Sequence, residues 1–234
     1  MEFPHLRDTV AEIRDRIALA AARGAGQSVR IIAVTKTHGP EAAVAAWDAG
    51  IPDCGENRVQ EALPKMVQVS VPVIWHLIGH LQRNKVRSLD DFALLHSLDS
   101  RRLADAICEY GVQRGRAVDA LVQVNTSGET SKGGFSPEEL RVEADRLTGL
   151  PGIRVLGAMT MAPLDATELE LRETFAGARR AREVLADAGH PATELSMGMS
   201  NDYEIAVEEG ATMVRLGSIL FGAREAERHG ARQP

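Results

Sequence analysis

The sequence predicts a (β/α)₈ barrel, and three observations carry that prediction. Strand-like and helix-like stretches alternate along the chain, as in a parallel sheet. Eight strand candidates occur in one uninterrupted run, which favours a closed barrel over an open doubly wound sheet. The 234 residues suit one such barrel, and no linker, low-complexity run or close repeat divides them, so residues 1–234 read as a single domain.

The elements follow in order. An extra helix comes first: Leu6, Val10, Ile13, Ile17 and Ala20 recur at helical spacing. VRIIAVTK is a strand rich in β-branched residues. PEAAVAAWDAG is a helix, with Pro40 at its start and Gly50 at its stop. IPDCGEN is a short strand and RVQEALPKM a helix; VPVIWHLIGH is a strand and LQRNKVRSL a short basic helix. DFALLHSLD and SRRLADAICEYGVQRG make the next strand and helix. AVDALVQVN is a strand, followed by the loop TSGETSKGGF and a helix opened by a capping box at Ser136 and Glu139. GIRVLGAMTMAP is a strand, and a helix lies between Asp165 and Gly189. ATELSMGMS is a strand and loop, NDYEIAVEEG a helix and TMVRLGSILFG the last strand and turn.

Composition narrows the function. Hydrophobic residues make up 44% of the chain, enough for a sizeable core. A net charge of -6 gives no general attraction to nucleic acid or anionic membrane, and two Trp and two Tyr offer little base-stacking surface. No stretch approaches the ~20 apolar residues of a membrane span. Cys54 and Cys108 form no CxxC pair, so neither a disulfide framework nor a zinc site is expected, and a reducing cytoplasm fits best. The acidic residues of the first helix argue against a signal or transit peptide. P-loop, GxGxxG and GxSxG motifs are absent.

Barrel function lies at the C-terminal ends of the strands. That rule sends Lys36, Glu56, Asn57, His76, His80, His96, Asn125, Met159, Ser196 to Ser200 and Arg215 to Ser218 to one rim. Lys36 ends an apolar strand, where lost solvation makes a neutral, nucleophilic amine accessible. The competing reading is a lysine that snorkels to the rim or pairs with Glu56. SMGMS, leading into a helix, and the Gly217-Ser218 turn follow strands seven and eight, where barrels often bind phosphate. A simple cap, with Asn201 and Glu204 as a capping box, competes for the first of these. Arg215 either meets a ligand or makes a rim ion pair, and Asn57 either orients a ligand or caps the next helix. His76 and His80 stand four apart but on a strand end, a poor zinc geometry. Lys132 in the Gly-rich loop is an exposed residue or a second anion contact.

Together AVTKT, GENRVQEALPK, WHLIGHLQRNK, HSLDS, LVQVNTSGETSKGGF, LSMGMSNDYEIAVEEGATMVRLGS and FGAR resemble one family, the pyridoxal phosphate homeostasis proteins, also called the YggS/PROSC family. The blocks keep the family order from near residue 33 to 224. The resemblance implies a fold-type III barrel like the N-terminal domain of alanine racemase. It implies pyridoxal 5′-phosphate (PLP) as a Schiff base on Lys36, phosphate contacts from Ser200, Gly217 and Ser218, and Asn57 and Arg215 lining the cofactor. His38 departs from the family, standing where many relatives carry a second lysine, and Glu129-Thr130 replaces the usual acid before the SK pair.

The function implied is storage. PLP is a strong electron sink when its ring nitrogen is protonated, and an arginine opposite that nitrogen disfavours the proton. Alanine racemases add a second acid/base tyrosine and a β domain that completes a dimeric site. This chain ends soon after its eighth strand, and its two tyrosines, Tyr110 and Tyr203, fall in a helix and at a helix start. The expected protein holds PLP reversibly, has no catalytic residues, serves apo PLP-dependent enzymes and is a monomer rather than a dimer. The alternatives are a low-activity amino-acid racemase and a PLP-free barrel that binds a sugar phosphate.

Overall fold

The strand-forming runs close on themselves. The computed structural model describes residues 3–129 and 133–222, in which eight parallel strands form a closed barrel in sequence order. They are β1 (Arg30–Val34), β2 (Asp53–Glu56), β3 (Ile74–Leu77), β4 (Leu94–Leu98), β5 (Val118–Gln123), β6 (Ile153–Met159), β7 (Glu194–Ser196) and β8 (Met213–Leu216). β1 closes on β8, with Arg30 opposite Met213 and Ala33 opposite Leu216, so no sheet edge is left open. Outside lie α1 (Leu6–Arg23), α2 (Pro40–Asp48), α3 (Val59–Gln68), α4 (Arg101–Gln113), α5 (Pro137–Thr148), α6 (Glu168–Asp187), α7 (Tyr203–Glu208) and α8 (Ser218–Phe221).

The helices bury the stripes the sequence sets out. In α1, Leu6, Val10, Ile13, Ile17 and Ala20 are all buried, and the helix packs against α7. Ion pairs Arg16–Glu204 and Arg23–Glu208 hold that contact from the solvent side. The capping box of Ser136 and Glu139 opens α5 as predicted, and a second box, Thr167 with Glu170, sets the start of α6 at Glu168.

One local prediction is refined and one corrected. The short basic helix after β3 is a 3₁₀ helix, Arg83–Asp91. Its buried residues Val86 and Leu89 stand three apart, the spacing that eclipses on a 3₁₀ helix. The box of Asn201 and Glu204 does not form. Asp202 takes the N-cap position of α7, its Oδ1 accepts from Met199 N–H at 2.5 Å, and Glu204 turns to Arg16.

Alternation along the strands splits the apolar residues. Ile31 and Ala33 face the helices, within the main core. Ile32 joins Leu94, Leu121, Met159 and Met213 in a separate small cluster within the barrel. Buried polar residues share that interior: His76, His96, Ser196 and Arg215. His76, His96 and Ser196 lie below the rim to which position along the chain assigned them.

Candidate functional site

At the C-terminal rim the barrel opens into a cavity of about 690 Å³. The six residues that the family resemblance assigns to the cofactor line it: Lys36, Asn57, Ser200, Arg215, Gly217 and Ser218.

Lys36 stands two residues beyond the end of β1 and is half-buried. The chain turns immediately after it: Thr37 has φ 69°, a left-handed conformation rare outside glycine. What precedes Lys36 is held rigidly. Thr35 N–H donates to Gly55 O at 3.2 Å, and its hydroxyl donates to Glu56 Oε1 at 2.6 Å. Its carbonyl accepts from Lys65 Nζ at 2.8 Å, and Lys65 also meets Glu56 Oε1 at 2.5 Å. Glu56 is therefore the partner of Lys65. The sequence reading missed Lys65, although Val59, Ala62 and Lys65 share the buried face of α3 at threefold spacing. That spacing was the available signal.

Across the cavity, Ser200 Oγ accepts long hydrogen bonds from Gly217 N–H at 3.4 Å and Ile219 N–H at 3.3 Å. Gly198, with φ 89°, makes the corner possible, because a Cβ there would stand 2.6 Å from Ala206 Cβ. Asn57 is not the cap of α3; that position belongs to Arg58, and Asn57 faces the cavity. Gly79 allows β3 to approach it, since a Cβ at 79 would lie 2.3 Å from Asn57 O.

Among the described residues Arg215 makes no rim ion pair of the kind considered. It is buried, and its described partners are a hydroxyl and a carbonyl: Nη1 donates to Ser196 Oγ at 2.7 Å and Nη2 to Thr160 O at 2.8 Å. Burial lowers its pKa to about 10, against a smaller opposing effect from Asp202. Asp202 lines the cavity too, and burial raises its pKa.

The histidines part ways. His76 and His96 point into the barrel, whereas His80 is on the rim with Nδ1 2.6 Å from Asp99 Oδ2. Among the described residues no group of three His, Cys, Asp or Glu is placed to hold a metal ion. His38 packs edge-on against Phe3 at 5.9 Å and tilted against Phe221 at 5.2 Å. Tyr110 lies in α4 beside Asp90, and Tyr203 is buried at the start of α7. Neither lines the cavity. Lys132 lies outside the described residues.

A barrel with this rim has a defined class. The family model described as the alanine racemase N-terminal domain matches residues 9–225. Alanine racemase from Corynebacterium glutamicum superposes with a TM-score of 0.74 at 17% identity, covering 93% of this chain and 62% of that one, which shows the shared barrel alone. Closer relatives define the branch. Pyridoxal phosphate homeostasis proteins of Aquifex aeolicus and Pseudomonas aeruginosa are each 39% identical, over 93% and 94% of this chain and 98% and 96% of theirs. PipY of Synechococcus elongatus, solved with PLP bound, superposes with a TM-score of 0.82 at 37% identity, covering 93% of this chain and 100% of that one. The chain belongs to the pyridoxal phosphate homeostasis protein family.

Proposed function

We propose that this chain binds PLP reversibly, as a Schiff base on Lys36, and keeps the reactive aldehyde in store rather than turning over a substrate. One juxtaposition carries the reading: a half-buried lysine and a cluster of phosphate-type donors open into the same cavity, with a buried arginine between strands below. The donor set fits the cofactor. Ser200 Oγ holds the N–H groups of Gly217 and Ile219 at 3.3–3.4 Å, longer than the usual ~2.9 Å, so a phosphate oxygen can take them over with little loss. Bound there, the cofactor supplies an aldehyde that an amine captures reversibly.

Support for storage comes from what surrounds the lysine. Racemisation needs an acid/base on the far face of a substrate, and neither tyrosine reaches the cavity. Arg215, a fixed cation in the floor, opposes protonation of a ring nitrogen placed against it and so weakens the electron sink. The chemical complement of a stored aldehyde is an apo-enzyme that lacks it, and we take such enzymes as the recipients. No described helix is long and apolar enough to cross a membrane, and the two cysteines are unpaired. We place the protein in the cytoplasm, as a single-barrel monomer.

Purified protein incubated with PLP should show the visible absorption of a lysine Schiff base, and Lys36→Ala should abolish it with the fold intact. An unchanged band in the variant would remove Lys36 from the reading. Incubation with L-amino acids and chiral analysis gives the enzymatic alternative its chance: turnover well above that of free PLP would reject storage.

A further inference from the structure

The buried polar residues inside the barrel are joined end to end. Arg215 Nη1 lies 2.7 Å from Ser196 Oγ, and Ser196 Oγ 2.8 Å from His96 Nδ1. His96 Nε2 lies 3.0 Å from His76 Nδ1, and His76 Nε2 2.9 Å from Asp53 Oδ1. The line runs from β8 through β7, β4 and β3 to the first residue of β2, at the end of the barrel opposite the cavity. No step of the proposed storage chemistry uses its three middle members.

The two ends fix the direction of the outermost bonds. Arginine has no acceptor and a carboxylate no donor. Asp53 must accept, so His76 carries a proton on Nε2. A neutral His76 then accepts at Nδ1, which places the His96 proton on Nε2. Neutral His96 accepts at Nδ1 from the Ser196 hydroxyl, whose oxygen in turn accepts from Arg215. Each middle residue donates once and accepts once along the line. The reverse pattern requires a His76 imidazolium, with His96 donating from Nδ1 to Ser196 Oγ. The serine hydroxyl would then lack an acceptor among the described residues, in a place fully shielded from water. Burial, and after it the charge of the nearby Arg215 guanidinium, also holds the His96 imidazole well below its ordinary range.

We propose that Asp53, His76, His96 and Ser196 are positioning residues: a one-way hydrogen-bond chain that fixes the Arg215 guanidinium in one orientation beneath the cavity. The chain explains why a barrel interior otherwise filled by Ile32, Leu94, Leu121, Met159 and Met213 admits two histidines. Its consequence for PLP rests on the storage reading. A guanidinium anchored through both Nη atoms cannot swing away from the ring, and no neighbour in the chain can supply the ring with a proton.

Two measurements test it. Long-range ¹H–¹⁵N spectra of histidine-labelled protein near neutral pH, assigned with single His→Gln variants, should show His76 and His96 neutral with the proton on Nε2. A proton on Nδ1 of either ring, or an imidazolium, overturns the chain whether or not PLP binds. Ser196→Ala should then shift the His96 Nδ1 resonance and weaken PLP retention about tenfold, the effect of one charge-assisted bond. Ser196→Thr, which keeps the hydroxyl, should restore both at an unaltered melting temperature. Equal PLP retention in wild type and Ser196→Ala overturns the positioning role. A wild-type protein that takes up no PLP, yet shows the stated tautomers, refutes the storage reading and leaves the chain standing.

Discussion

Removing the ammonium of Lys65 tests how Lys36 is held. Lys65→Met keeps the length and helix propensity of the side chain and deletes two contacts, to Glu56 Oε1 and Thr35 O. Glu56 is 0% exposed, and its Oε2 already has no partner among the described residues. The variant leaves that carboxylate buried with only the Thr35 hydroxyl. Breaking a buried pair in this way costs about 3–5 kcal/mol. In a chain of this size each 1 kcal/mol lowers the melting temperature by about 2–4 °C, so a fall of roughly 6–20 °C is expected. Urea titration should show a lower midpoint with an unchanged slope. The double variant Lys65→Met/Glu56→Leu replaces the pair by apolar groups and should recover most of the stability. It should not recover full PLP retention, because the Thr35 carbonyl beside Lys36 still lacks its ammonium. A loss below about 1 kcal/mol in Lys65→Met, the scale of a surface pair, would refute this account of the site.

Other outcomes follow from single residues. Gly198→Ala forces a side chain into φ 89° and to 2.6 Å from Ala206 Cβ; it should cost at least ~1–2 kcal/mol in denaturant titration and weaken PLP binding more than binding of pyridoxal, which lacks the phosphate. His96 is kept neutral in the fold, whereas the unfolded chain protonates it below about pH 6.5. The unfolded state then binds more protons, so this residue makes stability fall on acidification from that pH, by up to ~1.4 kcal/mol per pH unit, until its folded pKa is reached. Stability measured from neutral to mildly acid pH should show a shallower slope in His96→Gln. Burial pushes the Cys54 thiol up to about 12. A thiol-reactive dye should therefore label the half-buried Cys108 in native protein and reach Cys54 only on unfolding.

Much of this molecule was legible one segment at a time. Strand and helix alternate because periodicity and capping are local: Ser136 and Glu139 stand three residues apart and close their box within one turn. Lys36, Ser200, Gly217 and Ser218 were findable because a barrel sends the ends of its strands to one rim, so order along the chain predicts a shared cavity. Arg215 and Asn57 were assigned to the cofactor only through family resemblance, since spacing left an ion pair and a helix cap as competing readings. Local reasoning misplaced Asn201, because the choice of cap depends on Arg16, 188 positions from the Glu204 it captures.

What the sequence by itself determined is the barrel, its added first helix, and the rim lysine with the two loops that share its cavity. Each depends on contacts within a few residues or on a rule of strand order. Tertiary structure alone decided which charges are buried together. Lys65 reaches Glu56 across a helix and a strand, and His96 meets Ser196 over 100 positions of chain. The His96–Ser196 pair has no spacing signature, because closure of the barrel, not the local chain, brings the two within 2.8 Å. His76, His96, Ser196 and Arg215 are shielded from solvent in the barrel interior and bond to one another.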